Sequence, residues 1–368
     1  MEKISTFENY AQWPYSVRLT FQLLLIILIG FLIRTCSPII VPLYFSMLLS
    51  ILLLPLVNLL ERYRVPRAAA ALISVLFALI MVVGLLFFLS SQIAAFLHDI
   101  PAIKMHLTEH YHSLQSYVEH RFNIDSSQQA DIVNSATENI HDSGMSYLKQ
   151  TVFTVTAAVA FLILTVIYAF LILFYRHLLR AFILALFARK HNQHVNDVIT
   201  GSRGVIKNYM LGLIIEMAII STCNVIVLLI IGIKYAIFLG VFTGILNIMP
   251  YIGIYTGTLF TILVTLTTSA SMSQVSWIMI GLLVIHFCDA NFLMPRIVGS
   301  RVRINALSTI VGVVIGGFLI GIPGIFFATP TIAILKIVFD RIDSMKPWGL
   351  LLGDQQVLPQ KKLLIKKT

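Results

Sequence analysis

The chain has 368 residues, of which 58% are hydrophobic and only 11% are charged, and its formal net charge is +10. Soluble domains carry roughly 25% charged residues, so this composition excludes an ordinary soluble domain. Apolar runs of about 20 residues recur along the chain, and each is long enough to cross a ~30 Å hydrocarbon core. The sequence therefore predicts an all-α polytopic membrane protein with membrane lipids as its surroundings.

The positive charge is divided among several short loops, as membrane topology requires, and does not form one patch. We therefore expect no nucleic-acid partner. The three cysteines, Cys36, Cys223 and Cys288, fall in or beside apolar segments and have no metal-site spacing. No metal and no cofactor are predicted. The first apolar run, Leu19 to Ile33, lacks a small-residue cleavage site and is predicted to be a retained span.

The first half of the chain divides by composition into two regions. Residues 1–96 hold three spans, at about 19–36, 38–60 and 68–96, and predict an N-terminal three-span bundle. Residues 97–150 are polar, with seven Asp or Glu against three Lys or Arg, and their apolar residues recur at helical spacing. This region predicts a helical extracytoplasmic excursion. Its histidine cluster "HLTEHYH" lacks a second ligand pair, so we predict a wet helix face there.

The second half begins with a fourth span and a basic, leucine-rich stretch typical of a cytoplasmic interfacial helix, together residues 151–203. Residues 204–340 form the predicted transport core, with ordinary spans at about 204–232 and 275–293. Residues 341–368 form a basic tail, predicted to be cytoplasmic.

Two segments of the core, 235–266 and 305–338, have lengths that match neither one membrane crossing nor two. A helix of about 32 residues is ~48 Å long, too long for one untilted crossing. It is too short for two crossings of ~20 residues each. The first segment has helix-breaking residues at Asn247–Gly253, and the second has "GIPG" at Gly321–Gly324.

Charge favours a re-entrant topology for both segments. If each simply crosses, the loop with Arg296, Arg301 and Arg303 lies outside, against the positive-inside bias. If each dips into the membrane and returns, this loop is cytoplasmic, as are both termini. The prediction is about six full spans plus two re-entrant hairpins, or eight spans if the hairpins cross. A packing kink in an ordinary long helix remains the alternative.

The two span-plus-hairpin units then have opposite orientations. Paired, Gly/Pro-interrupted apolar segments indicate an inverted-repeat transporter whose site lies near the midplane. The breaks free backbone groups that can line a wet cavity. The predicted substrate path comprises Asn247, Pro250, Tyr251, Gly253, Gly321, Pro323 and Gly324.

The stretches "LGVFTGILNIMPYIGIYTG" and "NFLMPRIVGSRVRINALSTIVGVVIGGFLIGIPGIFFATPTIAILKIVFD" resemble the AI-2E family of bacterial transporters, the PerM-like permeases. The resemblance covers nearly the whole chain. The run Met249-Pro250-Tyr251-Ile252-Gly253 matches the family's I-P-Y-x-G pattern with methionine for isoleucine. In the next pattern His286 stands for glutamine and Asp289 for glutamate, while Asn291, Pro295 and Gly299 match. The usual His-Pro is replaced by Asn305-Ala306.

The resemblance implies a multi-pass permease of the bacterial inner membrane that works by secondary transport. Some members are linked to export of autoinducer-2, a quorum-sensing signal, and others to sodium–proton exchange. It also implies a homo-oligomer, such as a pentamer.

Four residues of the core are candidates for ion or proton coupling: Glu216, Asp289, Asn291 and Arg296. A charge at the bilayer centre costs ~2.5–3.5 kcal/mol on insertion scales, so Glu216 should face the bundle or a wet cavity. A structural partner role is its alternative. For Asp289 and Asn291, the alternative is an anchor at the helix end, in which Asp289 forms a salt bridge with Arg296. His286, one turn before Asp289, is more simply a core histidine than a proton relay.

Three functions remain open at this point. The first is a secondary transporter of a small polar or amphipathic solute, and the second is a cation–proton antiporter on the same scaffold. The third is a non-transporting scaffold that docks through residues 97–150. An intramembrane enzyme is not predicted, because the chain has no H-E-x-x-H motif and no nucleophile elbow. No Walker A motif is present, so ATP bound by this chain is not the predicted driver.

Overall fold

The computed structural model of the chain describes residues 14–98, 156–249, 252–268, 272–299 and 304–354. These ranges are helical and contain no strand, apart from one isolated antiparallel bridge between Ile304 and Gly353. Seven of the described helices are long and apolar enough to cross a membrane. This confirms the prediction of an all-α polytopic membrane protein. The predicted excursion at 97–150 lies almost wholly outside the described residues.

The helices are α1 (Tyr15–Thr35), α2 (Ser37–Arg62), α3 (Arg67–His98), α4 (Thr156–Phe174), α5 (Arg176–Ala185), α6 (Asn192–Ile231), α7 (Ala236–Leu246), α8 (Ile252–Thr268), α9 (Met272–Cys288), α10 (Ala306–Ile320), α11 (Ile322–Arg341) and α12 (Lys346–Leu352). Two short π-helical segments, Asp289–Leu293 and Pro295–Gly299, follow α9.

The N-terminal bundle is formed by α2, α3 and α4. Its interior is apolar and comprises Leu53, Val57, Ala70, Ala71, Val75, Ala169 and Leu173. The hydroxyls of Ser46 and Ser50 on α2 donate hydrogen bonds to the carbonyls of Thr165 and Ala169 on α4, over 2.9 and 3.2 Å. Such small polar residues let membrane helices approach closely. Helix α1 buries no residue within the described chain.

The central helix of the fold is α6, which is 40 residues long. It begins at Asn192, whereas the sequence suggests a start near residue 204. The extra turns are held by tertiary contacts: Arg341 of α11 pairs with Asp197 over 3.1 Å, and Gly201 faces Ile337. The helix ends at Gly232, whose φ of 84° is the left-handed conformation that glycine adopts at helix ends.

The interfacial stretch is therefore short and confined to α5. Its leucine and phenylalanine side chains, including Leu178 and Phe182, are exposed, while Arg176 at its start pairs with Glu61 of α2. A helix with one apolar face that the described protein does not cover fits a position in the membrane interface.

The first long core segment is interrupted as the sequence predicts. Helix α7 ends at Leu246, α8 begins at Ile252, and the two pack as an antiparallel hairpin. The hydroxyls of Thr243 and Thr261 lie 3.2 Å apart across this hairpin. Gly253 lies against the Leu246 carbonyl, where a Cβ atom has no room. Helix α7 has 11 residues and is about 16 Å long, roughly half of the hydrocarbon thickness.

The second long segment is interrupted at one residue, Gly321, with a φ of 67°. Pro323 stands in the first turn of α11, where its missing N–H is harmless. Gly316 of α10 and Gly324 of α11 approach so closely that a Cβ on either would meet the other's carbonyl. The chain therefore doubles back at Gly321 into a second antiparallel hairpin.

Each hairpin returns to the end of the fold at which it began. The Gln274 amide at the start of α9 donates to the Ile231 carbonyl at the end of α6, over 3.4 Å. The α7–α8 hairpin therefore leaves and returns to the same end. The bridge between Ile304 and Gly353 likewise joins the chain two residues before α10 to the residue after α12. Neither long segment is a single rod that runs from one face to the other.

Candidate solute and ion cavity

A cavity of about 360 Å³ lies where α6, the first hairpin, the π-helical segments, α10 and α11 converge. We call it the acidic cavity. Its polar lining consists of Tyr209, Glu216, Asn247, Tyr255, Asp289, Thr309 and Thr329. Among the described residues that line it there is no lysine, arginine or histidine. Any net charge that these residues give the cavity is therefore negative.

Helix α6 contributes one face to this cavity. Tyr209, Leu213 and Glu216 are spaced by four and three residues, so they lie on the same side of the helix. Glu216 is only 6% exposed, although its neighbours along the chain are apolar. A carboxyl group at this depth is tolerated because it points into the bundle and a polar cavity instead of the lipid.

Asp289 stands at the change from α9 to the first π-helical segment. It is 2% exposed, and its Oδ2 accepts a hydrogen bond from Nδ2 of Asn247 over 3.2 Å. Oδ1 is buried and has no hydrogen-bond partner among the described residues. A π-helical turn widens the helix and shifts the side chains that follow, a distortion often found at functional sites.

The carboxyl groups of Glu216 and Asp289 lie close enough to interact directly. Two like charges at such a distance in a poorly solvated site repel strongly. A proton or a cation between them removes that repulsion. The pair, together with the Asn247 amide, is therefore suited to holding a positively charged species.

Not all of the predicted coupling residues join this group. Asn291 is exposed, and its Nδ2 donates over 2.8 Å to the Phe287 carbonyl of its own helix. Arg296 is also exposed and does not line the cavity. Asp289 bonds to Asn247 instead of forming the salt bridge with Arg296 that the sequence left open.

The predicted hairpin-tip residues also divide into two groups. Asn247 lines the acidic cavity, and Gly253 permits the close approach of α7 and α8. Pro250 and Tyr251 lie outside the described residues. In the second hairpin, Gly321, Pro323 and Gly324 do not line the cavity; their role is the turn and the close packing of α10 on α11. The polar contribution of α11 comes from Thr329, two turns further along.

His286 lies beside the cavity and not in its lining. Its Nε2 is 2.9 Å from the Thr258 hydroxyl of α8, and its Nδ1 has no partner among the described residues. This contact ties α9 to the first hairpin.

Tyr209, Thr309 and Thr329 were not predicted from the sequence, although an aromatic hydroxyl within an apolar span is a signal that points to Tyr209.

A second cavity, about 540 Å³ in volume, borders the first. We call it the apolar cavity. It lies between the α2–α4 bundle and the core, and Thr165 is the one polar side chain among the described residues in its lining. The turns of both hairpins reach it through Met249 and Ile322. The predicted wet cavity at the hairpin tips stays a prediction, because Pro250 and Tyr251 at the first tip lie outside the described residues.

A helical membrane protein whose polar cavity lies beside interrupted helices has an architecture found in membrane transporters. The comparison with known sequences agrees with this class. The profile of the AI-2E family transporters matches residues 21–344, so the chain belongs to this family.

Its relatives are distant but similar in length. The chain is 25% identical over 357 residues to "Putative transport protein YueF" of Bacillus subtilis, covering 88% of this chain and 92% of that one. It is 24% identical over 338 residues to "AI-2 transport protein TqsA" of Escherichia coli, covering 90% and 94%. A shorter match to "Putative transport protein YrrI" of Bacillus subtilis is 27% identical over 139 residues, 38% of this chain and 39% of that one. These names describe transport proteins and no enzyme.

Proposed function

We propose that the protein is an inner-membrane secondary transporter that moves a small polar or amphipathic solute by alternating access. The acidic cavity is its solute and ion site. The observation that carries this proposal is the meeting of two buried carboxyl groups, Glu216 and Asp289, with Asn247 at the interrupted helices. Ionisable groups inside membrane helices are rare and mark solute and ion pathways.

The proposed topology has two re-entrant hairpins that enter from opposite sides, with both termini cytoplasmic. It is supported by the return of each hairpin to the side where it began. It is also supported by charge: Arg341 and Asp197 bring the basic start of α6 and the basic end of α11 to one end of the fold. Lys and Arg accumulate on the cytoplasmic side of membrane proteins. Movement of the hairpins against α6 would then open the acidic cavity to one side at a time.

We propose autoinducer-2 as the exported solute, because the chain is similar to the AI-2 transport protein TqsA. The test expresses the chain in a host that makes this signal and lacks its own exporter. Signal in the medium and in the cells is measured with a reporter strain. Active protein should lower the intracellular signal several-fold and raise the extracellular signal. Equal levels with and without the chain would refute this substrate.

Sodium–proton exchange is the second candidate, and the carboxyl pair favours it. A proton and a small cation that compete for the space between Glu216 and Asp289 would exchange with each other. In everted vesicles with a dye that reports the pH gradient, NaCl pulses should then partly dissipate that gradient. Glu216→Gln should abolish this exchange but leave export of a neutral solute measurable. Asp343→Asn is a suitable control, because its carboxyl group is 92% exposed.

A homo-oligomer is also part of the proposal. The exposed apolar side chains of α1, such as Ile27 and Phe31, can face lipid or a second copy of the chain. Native mass spectrometry of detergent-purified protein measures the subunit number directly.

Reconstitution into proteoliposomes separates the transporter from the scaffold, because a scaffold moves no solute.

A further inference from the structure

The acidic and apolar cavities share two wall residues, Leu213 of α6 and Ile248 of the first hairpin turn. Both of these shared wall residues have aliphatic side chains. Each cavity has a volume within the ~300–1,000 Å³ range of small-molecule sites. A ligand that displaces these side chains would have one end among carboxyl groups and the other among hydrocarbon.

The chemistry of each space selects one part of such a ligand. In the acidic cavity Glu216 and Asp289 favour a cation, and the Tyr209 and Tyr255 rings suit a bulky onium head through cation–π contacts. The apolar cavity offers almost no polar surface to a ligand. It therefore favours an apolar substituent and disfavours a second charged group.

We propose that the two cavities form one bipartite site for amphipathic organic cations, with a quaternary ammonium or phosphonium head beside the carboxyl groups of Glu216 and Asp289 and the apolar part beyond Leu213 and Ile248. This inference rests on the proposed function, because it assigns to the same cavity a substrate class, amphipathic organic cations, in place of autoinducer-2. Anionic amphiphiles are excluded by the carboxyl groups, and small cations without an apolar part use only half of the site.

Direct binding of radiolabelled tetraphenylphosphonium to the detergent-purified full chain tests the proposal. We expect saturable binding that tetramethylammonium at a hundredfold excess does not displace. The double change Glu216→Gln with Asp289→Asn should weaken binding at least tenfold. Ala78→Phe should weaken it similarly, because Ala78 lines only the apolar cavity. Ala68→Phe, on the exposed side of the same helix, is the matched control and should bind like the unchanged chain.

Each other outcome contradicts the bipartite site. An absence of saturable binding overturns it outright. Weaker binding in the carboxyl variants alone means that the acidic cavity acts by itself, and weaker binding in Ala78→Phe alone means a lipid-like apolar pocket. Gel filtration and thermal unfolding confirm that each variant is folded. Autoinducer-2 export or sodium exchange without phosphonium binding would overturn this inference and leave the proposed function intact. Phosphonium binding without any transport would overturn the proposed function and leave the bipartite binding site intact.

Discussion

The side-chain amide of Asn247 donates a hydrogen bond to Oδ2 of Asp289 over 3.2 Å, and so joins the first hairpin turn to the π-helical segment after α9. This contact connects two irregular parts of the backbone across the acidic cavity. Among the described residues, Asn247 is the one amide that donates to the Asp289 carboxyl group, and Oδ1 of that group has no hydrogen-bond partner. A movement of the hairpin must therefore alter the environment of a buried carboxyl group.

The first prediction concerns this hydrogen bond. Asn247→Ala removes the donor and leaves Asp289 less well satisfied, at a cost of about 1–3 kcal/mol. We expect a fall of about tenfold or more in transport, which corresponds to ~1.4 kcal/mol, and a lower unfolding temperature. Transport in vesicles and thermal unfolding in detergent measure the two effects. Asn291→Ala changes an exposed amide that bonds to its own helix and should alter neither quantity appreciably.

The second prediction concerns the close contact between α10 and α11. Gly316→Ala places a Cβ against the Gly324 carbonyl, so the two helices must separate. Overpacking of this kind costs typically ~1–3 kcal/mol, and we expect a clear fall in the unfolding temperature. Gly84→Ala is the matched control, because nothing lies within 4 Å of its Cβ position. There the change should be neutral or stabilising by about 0.5–1 kcal/mol. Equal behaviour of the two variants would contradict the packing.

The sequence predicts the spans, the two interruptions and the burial of Glu216 because each depends on local composition. Hydropathy identifies a span, Gly321 and its neighbours break a helix, and a lone carboxyl group in an apolar run must point inward. The early start of α6 could not be predicted, because it depends on the distant contact between Asp197 and Arg341. A local π-helical turn at Asp289 has no periodicity that a reader of the sequence can recognise.

The presence of two separate cavities, one acidic and one apolar, could also not be predicted from the sequence. The glycines and prolines of the hairpins indicate where the chain turns but not which space the turn borders. That depends on how the α2–α4 bundle packs against the tips, through residues such as Phe45 and Phe326. Local rules therefore predict the elements, and tertiary packing decides which side chains reach the site.

The third prediction concerns Asn305, which ties the last helix to the start of α10. Its Oδ1 accepts from the Ser308 N–H over 2.7 Å and caps α10, while its Nδ2 donates to the carbonyls of Leu351 and Gly353. Asn305→Asp keeps the capping acceptor but loses both donors. Asn305→Ala loses both functions, and loss of a cap costs typically ~1 kcal/mol.

Hydrogen exchange separates these two roles. In Asn305→Asp we expect faster exchange in α12 with little change in the first turn of α10. In Asn305→Ala both regions should exchange faster. If α12 stays protected in both variants, its attachment does not depend on the Asn305 amide.

The last prediction concerns the sidedness of the hairpins. In a background without Cys36, Cys223 and Cys288, single cysteines replace Lys234, Arg296 or Leu350, all of which are exposed. The bridge between Ile304 and Gly353 requires that positions 296 and 350 lie on one side of the membrane, and the span of α9 requires that position 234 lies on the other.

An impermeant maleimide added to spheroplasts should therefore label the Lys234→Cys variant. It should label Arg296→Cys and Leu350→Cys only after permeabilisation, because the basic loops are cytoplasmic. Labelling of Arg296→Cys from outside would reverse the proposed orientation, and labelling of positions 234 and 296 from the same side would exclude the two re-entrant hairpins.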